Sequence, residues 1–198
     1  SIGQSDEEIK KVIKDFSPDI VAISVLFSNL LESANNIAKL TKQVSKKITV
    51  ILGGNHISGS LTDYKFSIAD KNSNLPDSIT ELENENIDFA MTGEGEYSML
   101  NIVDALANNG DIGKIPGVVK KLGEKKYLIN PPKRIHDLNI LPRPARHMAN
   151  MESYFDIGSF HSSFSKSNRV LSVMCSRGCP EKCTFCSTPE MWGQSARW

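Results

Sequence analysis

The chain has 198 residues, 39% of them hydrophobic, and its 23 basic and 23 acidic side chains cancel to a net charge of zero. That composition suits a globular protein of one ordinary domain plus the beginning of another, and it excludes the broad basic surface that nucleic acid requires. The longest apolar run, Ile20 to Phe27, is interrupted by Ser24 and is too short to cross a bilayer, and the polar start carries no secretory signal. All four cysteines lie between Cys175 and Cys186. A disulfide framework would spread its cysteines along the chain, so four thiols in one loop point to a metal site in a reducing, cytoplasmic compartment. The sequence opens without Met and ends at Trp198, soon after the cysteines, and it reads as a portion of a longer protein.

In chain order, Ser5-Asp6-Glu7-Glu8 is a capping box, and Ile9, Val12, Ile13 and Phe16 follow on one helical face until Pro18 stops the helix. Asp19 to Phe27 is β-branched and almost continuously apolar, the pattern of a parallel strand covered on both faces. A second helix turns Ile37, Leu40 and Val44 inward. Ile48 to Leu52 is another buried strand, ended by Gly53-Gly54. A polar stretch from Ser58 to Asn74 precedes a predicted helix over Ser78 to Glu85 and a third strand over Ile87 to Thr92. Gly93-Glu94-Gly95-Glu96 then leads into a helix with Met99, Ile102, Val103 and Leu106 inward, stopped at Asn109-Gly110. Asp88 and Glu81 read as solvated or capping residues. Alternation of strand and helix predicts an α/β fold with a parallel, doubly wound sheet.

Val118 to Ile129 reads as a hairpin turning at Gly123-Glu124. Residues 1–130 form the first domain. Residues 131–168, with Pro131, Pro132, Pro142 and Pro144, form a proline-rich linker without regular structure. Residues 169–198 begin a second unit, in which Val170 to Met174 has strand composition and leads into the cysteines.

Cys179, Cys183 and Cys186 are spaced C-x3-C-x2-C. Thiolates are the ligands of iron–sulfur clusters, and three of them leave one iron of a cubane without a protein ligand. Gly178 and Pro180 suit a backbone folded tightly around a bulky group. The alternative is a zinc-binding regulatory or interaction module with Cys175 as the fourth ligand. Structural zinc, however, usually takes two ligand pairs set a dozen or more residues apart.

The spacing, with Phe185 before the last cysteine, resembles the signature of the radical S-adenosylmethionine (SAM) enzymes. The wider set Ser176 to Pro180, Ser187, Trp192-Gly193 and Arg197 resembles the branch with an N-terminal cobalamin-binding domain, which includes magnesium-protoporphyrin ester cyclases and class B methyltransferases. The resemblance implies a partial flavodoxin-like, cobalamin-binding sheet followed by the first strand and cluster loop of a partial TIM barrel. It implies that Cys179, Cys183 and Cys186 hold a [4Fe-4S] cluster, that SAM completes the open iron, and that Phe185 lies near the nucleoside. In the first domain, Ser24 and Leu26 match the family's S-x-L strand end, Gly53-Gly54 its paired glycines, and Gly93, Glu94 and Gly95 its G-E-G-E turn. His56 is a further candidate cobalamin contact. The implied activity is reductive cleavage of SAM to a 5′-deoxyadenosyl radical, with cobalamin as a second cofactor, for methyl transfer or cyclisation of a small molecule. Electrons would come from a reduced flavodoxin or ferredoxin.

Overall fold

The computed structural model describes residues 4–59, 81–123, 126–156, 167 and 169–198. The capping box forms as its spacing predicts: the Ser5 amide donates to Glu8 Oε2 at 2.7 Å, and the Glu8 amide donates back to Ser5 Oγ at 3.4 Å. It starts α1 (Asp6–Phe16), which ends at Ser17 in a left-handed turn just before Pro18. Of the face expected to be inward only Ile13 is buried, and Phe16 is 79% exposed. The reason is packing. α1 lies against α2 (Leu31–Val44), and only the side turned to that helix is covered.

Strands β1 (Ile20–Ser24), β2 (Thr49–Gly53) and β3 (Phe89–Met91) pair in parallel, with Ser24 opposite Gly53 and Ile51 opposite Phe89. β1 and β3 are shorter than the runs that announced them, while β2 keeps its predicted length and is shifted by one residue. The hairpin of β4 (Val118–Gly123) and β5 (Lys126–Ile129) does not stand apart but adds antiparallel to β3, Met91 facing Val118. The expected parallel set is therefore enlarged to a mixed five-stranded sheet in the order β1-β2-β3-β4-β5. β1 lies at its edge, where an unpaired ladder invites association.

Alternation along β2 explains why both faces are apolar. Val50 and Leu52 enter one core with Ala34 and Ala38 of α2, while Ile51 enters a second core with Phe89 and Ile102. Ile102 belongs to α3 (Gly95–Ala107). Met99 packs at the margin of that core, but Val103 and Leu106 of the same helix remain exposed, correcting the expected inward stripe. In α2 the buried residues are Ala34, Ala38, Leu40 and Thr41, so the small alanines, rather than Ile37 and Val44, meet the sheet.

Of the helix predicted over Ser78 to Glu85, residues 78–80 lie outside the described residues and the rest is a single 3-10 turn, Glu81–Glu83. The polar stretch is described only at Ser58 and Gly59. The linker holds 3-10 turns at Leu138–Ile140 and Arg146–Met148 and a short helix α4 (Met151–Asp156), more structure than its prolines suggested. Val170 to Met174 forms no strand, a correction with a simple cause: among the described residues no strand lies beside it to share a ladder. No helix among the described residues is long and apolar enough to cross a membrane.

Asp88 does more than solvate the surface. Its Oδ2 accepts from Lys42 Nζ at 2.6 Å and from the Val50 amide at 2.7 Å, tying α2 to β2 just before β3 begins. Glu81 likewise accepts from Asn35 Nδ2 at 2.8 Å. Replacing Asp88 by Ala leaves a buried amide and a mostly buried ammonium without that acceptor. We expect Asp88→Ala to lose about 1–3 kcal/mol, read as a lower urea midpoint at unchanged slope.

Candidate functional site

Ligands of open α/β sheets bind beyond the carboxyl ends of the strands, and the first-domain candidates converge there. After β1 the chain runs through Val25 and Leu26; after β2 it runs through Gly54 to a helical turn over residues 55–59 that carries His56. The Val25 amide donates to Gly53 O at 2.7 Å, and the His56 amide donates to Val25 O at 3.1 Å. His56 Nδ1 lies 3.1 Å from Ser28 Oγ. The Gly93 amide after β3 donates to Ser58 Oγ at 2.9 Å, so all three strand-end loops are laced together. Ser24, Leu26, Gly53, Gly54, His56 and Gly93 thus share one edge. Ser28 and Ser58, which join them, carried no sequence signal beyond being loop serines. Leu26 and Phe27 leave apolar surface uncovered there, which suits an apolar ring face beside exposed backbone.

The paired glycines differ. Gly54 has φ +102°, and a Cβ there would lie 2.5 Å from Val25 O; a Cβ on Gly53 would meet nothing closer than Met91 O at 3.6 Å. Gly54 is required by the fold, whereas Gly53 is not.

In the Gly93-Glu94-Gly95-Glu96 turn the acidic residues reach across to the cysteine segment. Glu94, its side chain 2% exposed, accepts from Arg177 Nη1 at 2.9 Å and from Arg197 Nη1 at 2.8 Å. The Ile135 amide of the linker donates to the same carboxylate at 2.7 Å. Arg177 also pairs with Glu96 and lies over the Trp192 ring, while Arg197 Nη2 donates to Trp192 O at 2.7 Å. Burial alone would raise the Glu94 carboxyl, but hydrogen bonds from Arg197, Arg177 and the Ile135 amide, with the charge of Arg197, hold it below the ordinary carboxylate range.

Those arginines close the cysteine segment into a loop. Arg177 and Arg197 exchange backbone hydrogen bonds of 2.9 and 2.8 Å as an antiparallel bridge, and the Cys179 amide donates to Gly193 O at 3.1 Å. Gly178, at φ +89°, lies where a Cβ would be 2.2 Å from Ser195 O, so only glycine fits the base of the loop. The loop contains α5 (Thr188–Trp192) and ends near it. Hydrogen bonds from the Thr188 side chain and amide hold the Cys186 thiol below its usual range, toward the thiolate that metal binding needs. Phe185 is 91% exposed. Cys175, Cys179, Cys183 and Cys186 are all free thiols. Among the described residues, no three His, Cys, Asp or Glu side chains are grouped closely enough to hold a metal ion, so the structure places Cys179, Cys183 and Cys186 on one closed loop without converging their sulfurs. As a donor set they still fit an iron–sulfur cluster: three unpaired thiols, reachable from solvent, on a loop whose base is fixed.

Residues 2–70 match the family model of the B12 binding domain. The chain is 30% identical, over 98% of its length, to the cytidylyl-2-hydroxyethylphosphonate methyltransferase of Streptomyces wedmorensis, of which it covers 37%. Over 57% of its length it is 29% identical to the anaerobic magnesium-protoporphyrin IX monomethyl ester cyclase of Synechocystis sp., of which it covers 20%. The cobalamin-dependent SAM radical enzyme OxsB, solved with aqua-cobalamin and SAM bound, superposes on 99% of the chain with a TM-score of 0.69 at 18% identity, 23% of that protein being covered. Residues 2–70 thus carry a B12 binding domain, and the chain as a whole is similar to a methyltransferase and, over part of its length, to an ester cyclase. It spans well under half the length of these relatives. The strand-end edge of the first domain and the closed cysteine loop are thus two sides of one junction, joined at Glu94.

Arg177 and Arg197, which join the two sides, lie in the pattern around the cysteines, and that pattern alone assigns them no task. The signal was present in the charge pattern: two carboxylates in one glycine-rich turn and two arginines flanking the cysteines.

Two outcomes follow. Gly54→Ala should cost roughly 2–4 kcal/mol in chemical denaturation and Gly53→Ala well under half of that, because only at Gly54 would a Cβ clash with backbone, and only there is φ positive. The Glu94 carboxyl lies lower when folded than unfolded, so its contribution is complete above the unfolded value and is lost as pH falls through the folded one. Amide exchange at Arg177 and Arg197, corrected for intrinsic rate, should therefore be slow at neutral pH and accelerate only below the ordinary carboxylate range.

Proposed function

We propose that this chain is the cobalamin-side domain and cluster loop of a radical SAM enzyme that transfers a methyl group to, or cyclises, a small molecule. The observation that carries the reading is the seating of a closed three-thiol loop, through Glu94, beside the carboxyl ends of a B12-type sheet.

In this reading Cys179, Cys183 and Cys186 would hold a [4Fe-4S] cluster, and Phe185 would help to bind SAM. Cobalamin lies against Leu26, Gly53, Gly54, His56 and the Gly93–Gly95 turn, with Ser24 at the strand end. Such a cluster, reduced by a flavodoxin or ferredoxin, would supply the one electron needed to cleave the SAM sulfonium to methionine and a 5′-deoxyadenosyl radical. The chain's own residues do the rest by position. Thr188 keeps Cys186 disposed to ionise, Gly178 lets the loop close at its base, and the arginine pair fixes that base.

The test is anaerobic reconstitution of the full-length protein. Iron and sulfide should be incorporated, SAM should yield 5′-deoxyadenosine under reduction, and Cys183→Ala should abolish the yield. Full cleavage by Cys183→Ala would overturn the cluster assignment, and zinc without iron or sulfide would make the loop a zinc-binding regulatory or interaction module. Bound cobalamin is read separately, from its visible absorbance after supplementation and gel filtration.

A further inference from the structure

Two guanidiniums and two carboxylates meet between the third parallel strand and the cysteine loop: Arg177 and Arg197 from the base of the loop, Glu94 and Glu96 from the turn after β3. Their charges cancel, which matters because Glu94 and Arg197 have side chains only 2% and 7% exposed and would be costly to bury unpaired. Both oxygens of Glu94 are used. Oε1 faces Arg177, and Oε2 takes Arg197 together with the Ile135 amide. Arg197 also donates to Ile135 O and Trp192 O, so linker, turn and loop end on one carboxylate.

The two arginines that Glu94 holds are the same two residues whose backbones form the bridge closing the loop. A carboxylate that fixes both members of such a bridge fixes the position of everything strung between them, here Cys179, Cys183 and Cys186. The turn carrying Glu94 is itself fixed to the neighbouring strand-end loop by the Gly93–Ser58 hydrogen bond, and to the linker by the close approach of Pro132 to Gly93.

From this we propose that Glu94 is a positioning residue: its carboxylate clasps Arg177 and Arg197 and thereby sets where the cysteine loop stands relative to the carboxyl ends of β1–β3. That it positions a cluster rests on the proposed function; that it positions the loop does not. Glu94 would act on the chemistry only through the loop it holds, keeping the SAM side and the cobalamin side at a fixed separation.

The experiment uses the chain prepared without iron, so that loop order is read independently of metal loading. Hydrogen exchange of the Arg177 and Arg197 amides is compared with that of Val50 to Leu52 in β2. In Glu94→Gln, which keeps the shape and removes the charge, the two loop amides should exchange on the order of tenfold faster or more while β2 is unchanged. The acceleration expected of the parent at low pH should also weaken, since the carboxyl that titrates beside Arg177 and Arg197 is gone while the Arg177–Glu96 pair remains. Glu152→Gln, which removes only the surface pair with Arg169, should change neither. If Glu94→Gln fails to fold, Arg177→Gln gives the same reading from the loop side. Unchanged loop exchange with β2 protected, in whichever variant folds, overturns the clasp. Iron and sulfide content of the reconstituted parent then reports separately on the cluster.

Discussion

Charge burial sets the terms on which the two sides of this protein meet. Glu94 is almost wholly removed from water, and an isolated carboxylate in that position would be protonated or would keep the structure from closing. Two arginines and a backbone amide satisfy it, and each comes from chain far away in sequence: Arg177, Arg197 and Ile135. The turn, the linker and the cysteine loop are therefore mutually dependent. The two described hydrophobic cores lie within the sheet and its helices and include no residue of the linker or the cysteine loop. Specific ionic contacts, rather than a shared hydrophobic core, make the junction.

This type of junction suits its location. An apolar interface gains by area and tolerates sliding, whereas a carboxylate between two guanidiniums has one good geometry. The cysteine loop is fixed at its base by the Arg177–Arg197 bridge, and Gly178 permits the close backbone approach that such a base requires. The strand-end loops on the other side are held differently, by backbone hydrogen bonds from Val25 and His56 and a serine hydroxyl under Gly93. Those contacts leave Leu26 and Phe27 uncovered, apolar surface on the edge where an α/β sheet takes its ligand.

Short-range pattern explains what could be read without coordinates. The capping box at Ser5, the parallel strands and the hairpin each rest on residues within a dozen positions of one another, and each formed close to its expected place. Errors arose where tertiary packing chose among equivalent local options. Phe16 and Val103 carry helical apolar spacing yet face water, because α1 meets only α2 and α3 meets the sheet through Ile102. Val170 to Met174 has strand composition and no partner strand, and composition cannot supply a ladder.

By itself the sequence determined the α/β class, the three-thiol loop and the resemblance to B12-binding radical SAM enzymes, because strand periodicity, cysteine spacing and glycine turns are local properties of the chain. Only the tertiary structure decided that the hairpin joins the parallel strands, that Gly54 is required where Gly53 is not, and that the glutamate of the G-E-G-E turn reaches the arginines of the cysteine loop. Those facts depend on which distant segments meet, and no spacing along the chain encodes the distance between Glu94 and Arg197.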